Sequence, residues 1–319
     1  MDALLILRNI KVENANAIAG ITWGFPAISN FLGFVHALSR KLPADFVLEL
    51  EGCGVICHSQ QIQAYQPRGW GDYVFALTRN PLTKEEKSPA FIEEGRMHMT
   101  VSLIIPIAGE LDEQSEPGEL KQVIEQLVLS QRLAGGTIID IGAVELIEPP
   151  ESYDELQLFE RKQLRKLLPG FAIVQRSDLL AEHTQQRINQ VPNAEPLDAW
   201  LDFSAIKYQA ERPDGDVDEQ TPAEWNYVPK PGGGWLVPMT TGYRGISDLY
   251  APGEVARSRD TTTPFRFVEA VYSIGEWISP HRVANLEQLI WRYDAEPESG
   301  WYLCRNGYQP KKTDVIQTT

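Results

Sequence analysis

Arg96-Met-His-Met-Thr-Val-Ser-Leu-Ile-Ile-Pro-Ile107 is the stretch on which the fold turns. Met97, Met99, Val101, Leu103, Ile105 and Ile107 alternate with Arg96, His98, Thr100 and Ser102. That period of two belongs to a strand with one buried face. Upstream, residues 3–12 read as a first strand, with Leu4, Ile6, Ile10 and Val12 on one face and Arg8 interrupting it. Ile28, Phe31, Leu32, Val35, Leu38 and Leu42 follow a 3.6-residue period, which predicts a helix over 28–41. A second strand over 46–58 is weakened by Gly52 and Gly54. Residues 66–95, rich in Pro, Gly and charge, separate it from the Arg96 strand and read as an inserted hairpin or long loop. Downstream, Leu120, Val123, Ile124 and Leu127 mark a helix over 118–132, and Thr137–Ile147 is again strand-like.

The order β-α-β-insert-β-α-β is that of a ferredoxin-like (RRM-like) unit, so the expected fold is α+β. It fills residues 1–150, with 151–319 as a C-terminal extension packed on that core. The extension reads as mixed and mainly helical. Helices are predicted over 155–168 and 178–190, and Thr263-Pro264 and Ser279-Pro280 look like the starts of two capped helices. Residues 211–234, acidic at first and then rich in Pro and Gly, read as a linker or exposed loop.

The 319 residues carry a formal net charge of −15. Taken whole, that disfavours a polyanionic partner, because nucleic acid binding rests on Lys and Arg neutralising phosphates. The charge is uneven. Residues 110–160 and 195–229 together hold −18, and the rest of the chain sums to +3. A basic surface is therefore compatible with the total. Three cysteines without a pairing pattern suit a reducing compartment, and residues 14–39, although uncharged, are too interrupted by Asn, Gly and Pro to span a membrane. A cytoplasmic, non-membrane protein is expected.

The chemistry-bearing motifs are few. Cys53, Cys57 and His58 lie on a predicted strand, where residues four apart are about 13 Å distant, too far to share a zinc ion. Asp214-Gly-Asp-Val-Asp218 starts like a calcium loop but places Glu219 where glycine is required. No metal or cofactor is expected, and no P-loop, dinucleotide or nucleophile-elbow motif occurs. Leu133-Ala-Gly-Gly136 reads first as a helix C-cap and second as a glycine loop that an RNA backbone could approach. His36 and His98 could serve acid–base cleavage of RNA, or be ordinary structural histidines. Arg161, Lys162, Arg165 and Lys166 occupy one arc of a predicted helix opposite Leu164, Leu167 and Leu168. That stripe suits an anionic partner or a solvated face. Arg244, Arg257, Arg259 and Arg266 lie among Tyr243, Tyr250, Phe265 and Phe267, a composition fitting single-stranded nucleic acid or a protein interface.

Nine strings in order carry a family resemblance from about residue 3 to 302. They are Trp23-Gly-Phe-Pro26, Gly33-Phe-Val-His-Ala-Leu38, Leu77-Thr-Arg-Asn-Pro-Leu82, Glu93-Glu-Gly-Arg-Met-His98, Arg132-Leu-Ala-Gly-Gly136, Leu167-Leu-Pro-Gly-Phe171, Trp235-Leu-Val-Pro238, Tyr250-Ala-Pro-Gly-Glu254 and Gly275-Glu-Trp-Ile-Ser-Pro-His-Arg282. Together they resemble the second Csy subunit of type I-F CRISPR surveillance complexes (Cascade), within the RAMP superfamily. The resemblance implies a ferredoxin-like RAMP body with a thumb-like insertion at 66–95. It also implies a non-catalytic subunit that holds the 5′ handle of CRISPR RNA. Its implied partners are the large subunit and the adjacent backbone subunit, with target DNA near the PAM end as a further candidate. Under it, the RNA-binding candidates are Arg79, Asn80, Arg96, Arg132, Gly135, Gly136, Arg244, Arg257, Arg259 and Arg266. Two other readings stand beside it: a metal-independent endoribonuclease using His36 or His98, and a purely structural adaptor docking through the 161–166 stripe.

Overall fold

The structure is a computed structural model that describes residues 2–43, 48–76, 81–89, 94–109, 117–212, 222–258 and 260–310. The chain opens with β1 (Ala3–Asn16), the small hairpin β2 (Ile18–Ala19) and β3 (Thr22–Trp23), and helix α1 (Ile28–Ser39). Next come β4 (Glu49–Leu50), β5 (Cys53–Ile62), the hairpin β6 (Ala64–Tyr65) and β7 (Val74–Phe75), and β8 (Arg96–Ala108). Then follow α2 (Pro117–Leu129), β9 (Arg132–Leu133), β10 (Gly136–Asp140), β11 (Ala143–Ile147) and α3 (Tyr153–Lys166). The second half holds β12 (Phe171–Gln175), α4 (Ser177–Gln190), α5 (Pro196–Ser204), a ribbon of β13 (Lys207–Glu211) and β14 (Glu224–Val228), β15 (Trp235–Gly245), β16 (Val268–Ile278), β17 (Ile290–Glu296) and β18 (Trp301–Asn306). Among the described residues no helix is long and apolar enough to cross a membrane.

The expectation of a ferredoxin-like RAMP body carrying a mainly helical C-terminal portion is overturned. Twelve strands join one antiparallel sheet, and the last third of the chain supplies its longest hairpin, β15–β16, together with β17 and β18. The helices predicted at Thr263-Pro264 and Ser279-Pro280 do not form. The first is the approach to β16, and the second is a pair of 3₁₀ turns, Pro280–Arg282 and Leu286–Leu289, that lead into β17. Val283, Leu286, Leu289 and Ile290 are nonetheless all buried. Apolar residues three and four apart satisfy a 3₁₀ turn followed by a strand as well as an α-helical stripe.

The sheet closes on itself. β12 pairs β16 on one side and β5 on the other, through Phe171↔Cys57 and Ala172↔Ile56. The same edge of β5 starts on β17, through Ile290↔Gly54 and Trp291↔Cys53. With β15–β16, β15–β18 and β17–β18 this makes a ring of six strands, β5-β17-β18-β15-β16-β12, so none of the six is left with a wholly open edge. Trp291 fills the ring, fully buried, and its Nε1–H donates to Ile173 O at 2.9 Å. The other edge of β5 pairs β8, and the sheet continues as β8-β1-β10.

Two apolar layers sandwich this sheet. α1 and α2 bury Phe31, Leu38 and Ile124 against Leu5, Leu7, Val101 and Leu103 on one side. On the other, Leu164 and Leu167 cover Leu4, Ile6, Ile56 and Ile104. The continuous run Leu103–Ile107 in place of strict alternation records this two-sided burial. Arg8, which broke the pattern of β1, makes two bonds to Glu145, at 2.7 and 2.9 Å, and reaches Gln163 and the end of α3. A third cluster, Trp200, Phe203, Leu236 and Ile274, seats α4 and α5 on β15 and β16. The Arg176–Glu276 ion pair, with both side chains buried, pins α4 to β16, and Arg176 also binds Asp178.

Candidate nucleic-acid interface

Two irregularities in β1 shape the polar end of the sheet. Its register against β8 slips between Leu7 and Ile10 and again between Val12 and Ala15. Asn9 and Asn14 sit at these bulges with φ of 51° and 56°. Asparagine tolerates that left-handed conformation better than most residues. The second bulge turns Asn14 outward beside β8 and β5. There the Arg96 guanidinium donates to Asn14 O at 3.3 Å and pairs with Glu94. Gln63 Nε2 donates to Asn14 Oδ1 at 2.8 Å and lies 3.1 Å from His98 Nε2, while Asn14 N–H approaches His98 Nδ1 at 3.4 Å. Both ring nitrogens of His98 are thus occupied within the protein. His36 is elsewhere, exposed on α1 at the mouth of a cavity that it shares with Glu49, Glu51, Arg292 and Tyr293.

The glycine-rich string beside this end is a hairpin turn, not a helix C-cap: α2 ends at Leu129, and Leu133 pairs with Gly136. The two central residues, Ala134 and Gly135, have φ of 50° and 75°, the mirror-image turn that joins twisted strands. Ala134 O accepts from Asn16 N–H at 2.8 Å, fixing the turn to the end of β1. A Cβ on Gly136 would lie 2.7 Å from both Ala15 N and Glu13 O, so only glycine lets the turn approach this closely. Arg132 projects into solvent from β9. The structure therefore brings Arg96, Arg132, Gly135 and Gly136 to one end of the sheet and adds Asn14, Gln63 and His98. The period-two pattern of residues 3–12 carries no sign of these bulges beyond the asparagine at each position.

Aromatic side chains continue the surface. Trp23 meets Phe75 edge to face with ring centroids 5.7 Å apart, and Trp23, Tyr65, Trp70 and Tyr73 are all exposed. Gly24, with φ of 124° and no atom near its missing Cβ, opens the backbone next to Trp23. An apolar cleft of about 160 Å³ lies behind, walled by Trp23, Phe25, Trp235 and Trp277, with Gln60 among its lining.

The remaining candidates fall in the C-terminal part. Arg244 lies over the Trp301 ring, 5.0 Å from its centroid. Arg266 fills the space above Gly245 and Gly300 and donates to Pro297 O at 2.9 Å. Arg257 is exposed, with φ of 61°. Arg79, Asn80 and Arg259 lie outside the described residues, as does most of each acidic stretch, 110–119 and 211–219. On α3, Arg161, Lys162, Arg165 and Lys166 are all exposed while Leu164 is buried. The cysteines are buried among apolar side chains. Burial pushes the Cys57 thiol up to about 11 and that of Cys304 to about 12, and raises Cys53 as well. All three remain protonated and pack as small apolar groups.

Comparison with known proteins bears on this arrangement. A family model described as CRISPR-associated protein (Cas_Csy2) matches residues 5–304. A protein of Pseudomonas aeruginosa (strain UCBPP-PA14) described as CRISPR-associated protein Csy2 is 40% identical over 310 residues, covering 94% of this chain and 94% of that protein. Identity of this extent spans the bulged β1, the glycine turn and the closed ring alike, and places the chain in the Csy2 family of CRISPR-associated proteins, a subunit of the type I-F complex.

Proposed function

We propose that this chain is a non-catalytic RNA-binding subunit of the type I-F surveillance complex, holding the 5′ handle of CRISPR RNA at the end of the sheet formed by β1, β5 and β8. The observation that carries the reading is the convergence there of a guanidinium, amide side chains and a glycine turn, with exposed aromatic rings beside them. Splayed single-stranded RNA is recognised by such a set: cations and backbone N–H groups take phosphates, and rings take bases. With the handle held, the subunit caps the complex beside the large subunit and the adjacent backbone subunit, and supports guide-directed binding of foreign DNA near the PAM end in the cytoplasm. Sequence discrimination is then left to guide–target pairing. Of the C-terminal candidates among the described residues, Arg244, stacked on Trp301, and Arg257 are exposed and extend this contact.

The test is fluorescence anisotropy with RNAs that share a constant 5′ segment, against the same RNAs with that segment scrambled. Tighter binding of the constant 5′ end, lost in an Arg96→Ala, Arg132→Ala double variant, supports the reading. Equal affinity for both RNAs refutes it. An adaptor reading is favoured separately by the α3 stripe, whose four cations are exposed and form no ion pair with a described carboxylate. Arg161→Glu with Arg165→Glu would break a protein contact there while leaving RNA affinity unchanged.

A further inference from the structure

The ribbon β13–β14 stands apart from the sheet. In an antiparallel ladder directly paired residues share a face, and successive pairs alternate. Tyr208 pairs with Tyr227 and Ala210 with Trp225, so one face carries three aromatic rings and an alanine. The tyrosine rings touch edge to face, with centroids 6.1 Å apart. Yet Tyr208 is 60% exposed, Trp225 69% and Tyr227 50%. The opposite face holds Lys207, Gln209, Glu211, Glu224, Asn226 and Val228, and all but Lys207 and Val228 are exposed. A two-stranded ribbon exposed on both faces is marginal in water.

Charge identifies what covers it. Glu211 and Glu224 pair directly across the ladder, an arrangement that destabilises a free ribbon. Asn226 Nδ2 donates to Glu211 at 2.9 Å, and no cation lies within ion-pair distance of either carboxylate among the described residues. The sequence between the two strands adds Asp214, Asp216, Asp218 and Glu219 against the lone Arg212. An RNA backbone would be repelled here, whereas a cationic side chain placed between Glu211 and Glu224 would remove their repulsion. The root of the ribbon is held firmly. Asp202 on α5 binds Lys207, His183 at 2.6 Å and Arg187 at 3.3 Å.

We propose that the β13–β14 ribbon is a protein-docking arm, held in a groove of a neighbouring subunit that bears arginine or lysine, so that one wall meets the Tyr208–Trp225–Tyr227 face and the other meets Glu211 and Glu224. The rings supply apolar area and cation–π faces, and Glu211 and Glu224 take the cations. This rests on the reading that the chain works inside a multisubunit ribonucleoprotein. It assigns to protein a surface distinct from the one assigned to RNA.

The test uses the full chain co-expressed with the other subunits of its operon and a guide RNA. Three chains are compared: wild type, Tyr208→Thr/Trp225→Thr/Tyr227→Thr, and Glu211→Lys/Glu224→Lys. Threonine keeps strand propensity, and the charge reversal leaves every ring in place. The expected result is a loss of affinity for a co-assembling subunit of about tenfold or more in both variants. Guide RNA affinity of the isolated chain stays within about twofold, and hydrogen exchange at 207–211 and 224–228 slows on assembly but not with RNA alone. Unchanged assembly of both variants overturns the arm, as does protection of the ribbon by RNA alone or reduced RNA affinity in the threonine variant. A wild-type chain that joins neither RNA nor subunits overturns the functional reading and the arm together. Assembly of all three chains overturns the arm only.

Discussion

Two small antiparallel hairpins project from this molecule, and both display aromatic rings. Around β6–β7 the exposed rings of Trp23, Tyr65 and Tyr73 lie in a stretch whose charges, Arg68 and Arg96 against Asp72 and Glu94, balance, and the hairpin is tied to the sheet through Gln63 N–H to Arg96 O at 2.8 Å. Around β13–β14 the rings of Tyr208, Trp225 and Tyr227 back onto Glu211 and Glu224, and the ribbon is tied at its root by Lys207 to Asp202 on α5. Exposed aromatic area is the same resource in both places. Its electrostatic setting decides which polymer can use it, since a phosphate chain meets balanced charge at the first and repulsion at the second.

The largest expected effect tests whether the two ends are mechanically separate. Arg176→Ala would leave Glu276 buried and unpaired beneath α4, a loss of about 3–5 kcal/mol by urea denaturation. Limited proteolysis should then cut first within 177–228, while anisotropy finds RNA affinity unaltered. Early cleavage at 64–75 would break the comparison.

Gly136→Val acts at the other end. Its side chain meets the backbone of Glu13 and Ala15, costing about 1–3 kcal/mol. RNA binding should weaken with partner docking intact, and equal loss of both would join the two ends into one unit.

Asp202→Asn sharpens the comparison through pH. Burial alone would raise the Asp202 carboxyl. The hydrogen bonds from Lys207 and His183 and the charges of Lys207 and Arg187 outweigh burial and hold it below the usual range. Its stabilisation is therefore complete above the ordinary aspartate pKa and disappears as pH falls through the depressed value. Wild type should exceed the variant by about 1–2 kcal/mol at pH 7. The difference should vanish in strong acid, and a gap constant with pH would contradict the assignment.

The smallest effect is Arg96→Ala, expected to weaken RNA binding by roughly 1 kcal/mol and to reduce the salt slope by about one. An unchanged slope would show that Arg96 does not meet a phosphate.

Much of this was legible in the residues, and the failures are specific. Alternation found β8, the 3.6 period found α1 and α3, and the cationic stripe of α3 is exposed as expected. The closed ring was not legible, because Ala172↔Ile56 and Ile290↔Gly54 join residues far apart in sequence by backbone bonds that leave no local pattern. At the candidate site, Arg96 and the glycines announced themselves by type. Asn14 and Gln63 became neighbours only because β1 bulges, which slips the register that period-two reading assumes.

The double duty of β5 has a consequence for synthesis. One edge is satisfied soon after it emerges, when β8 follows. The other edge must wait for residues 171–175 and then for 290–291, which leave the ribosome on the order of ten seconds or more later. Through that interval a nascent chain with most of its first layer in place presents an unpaired strand, open to any passing edge. The last strands to be made are the ones that seal it.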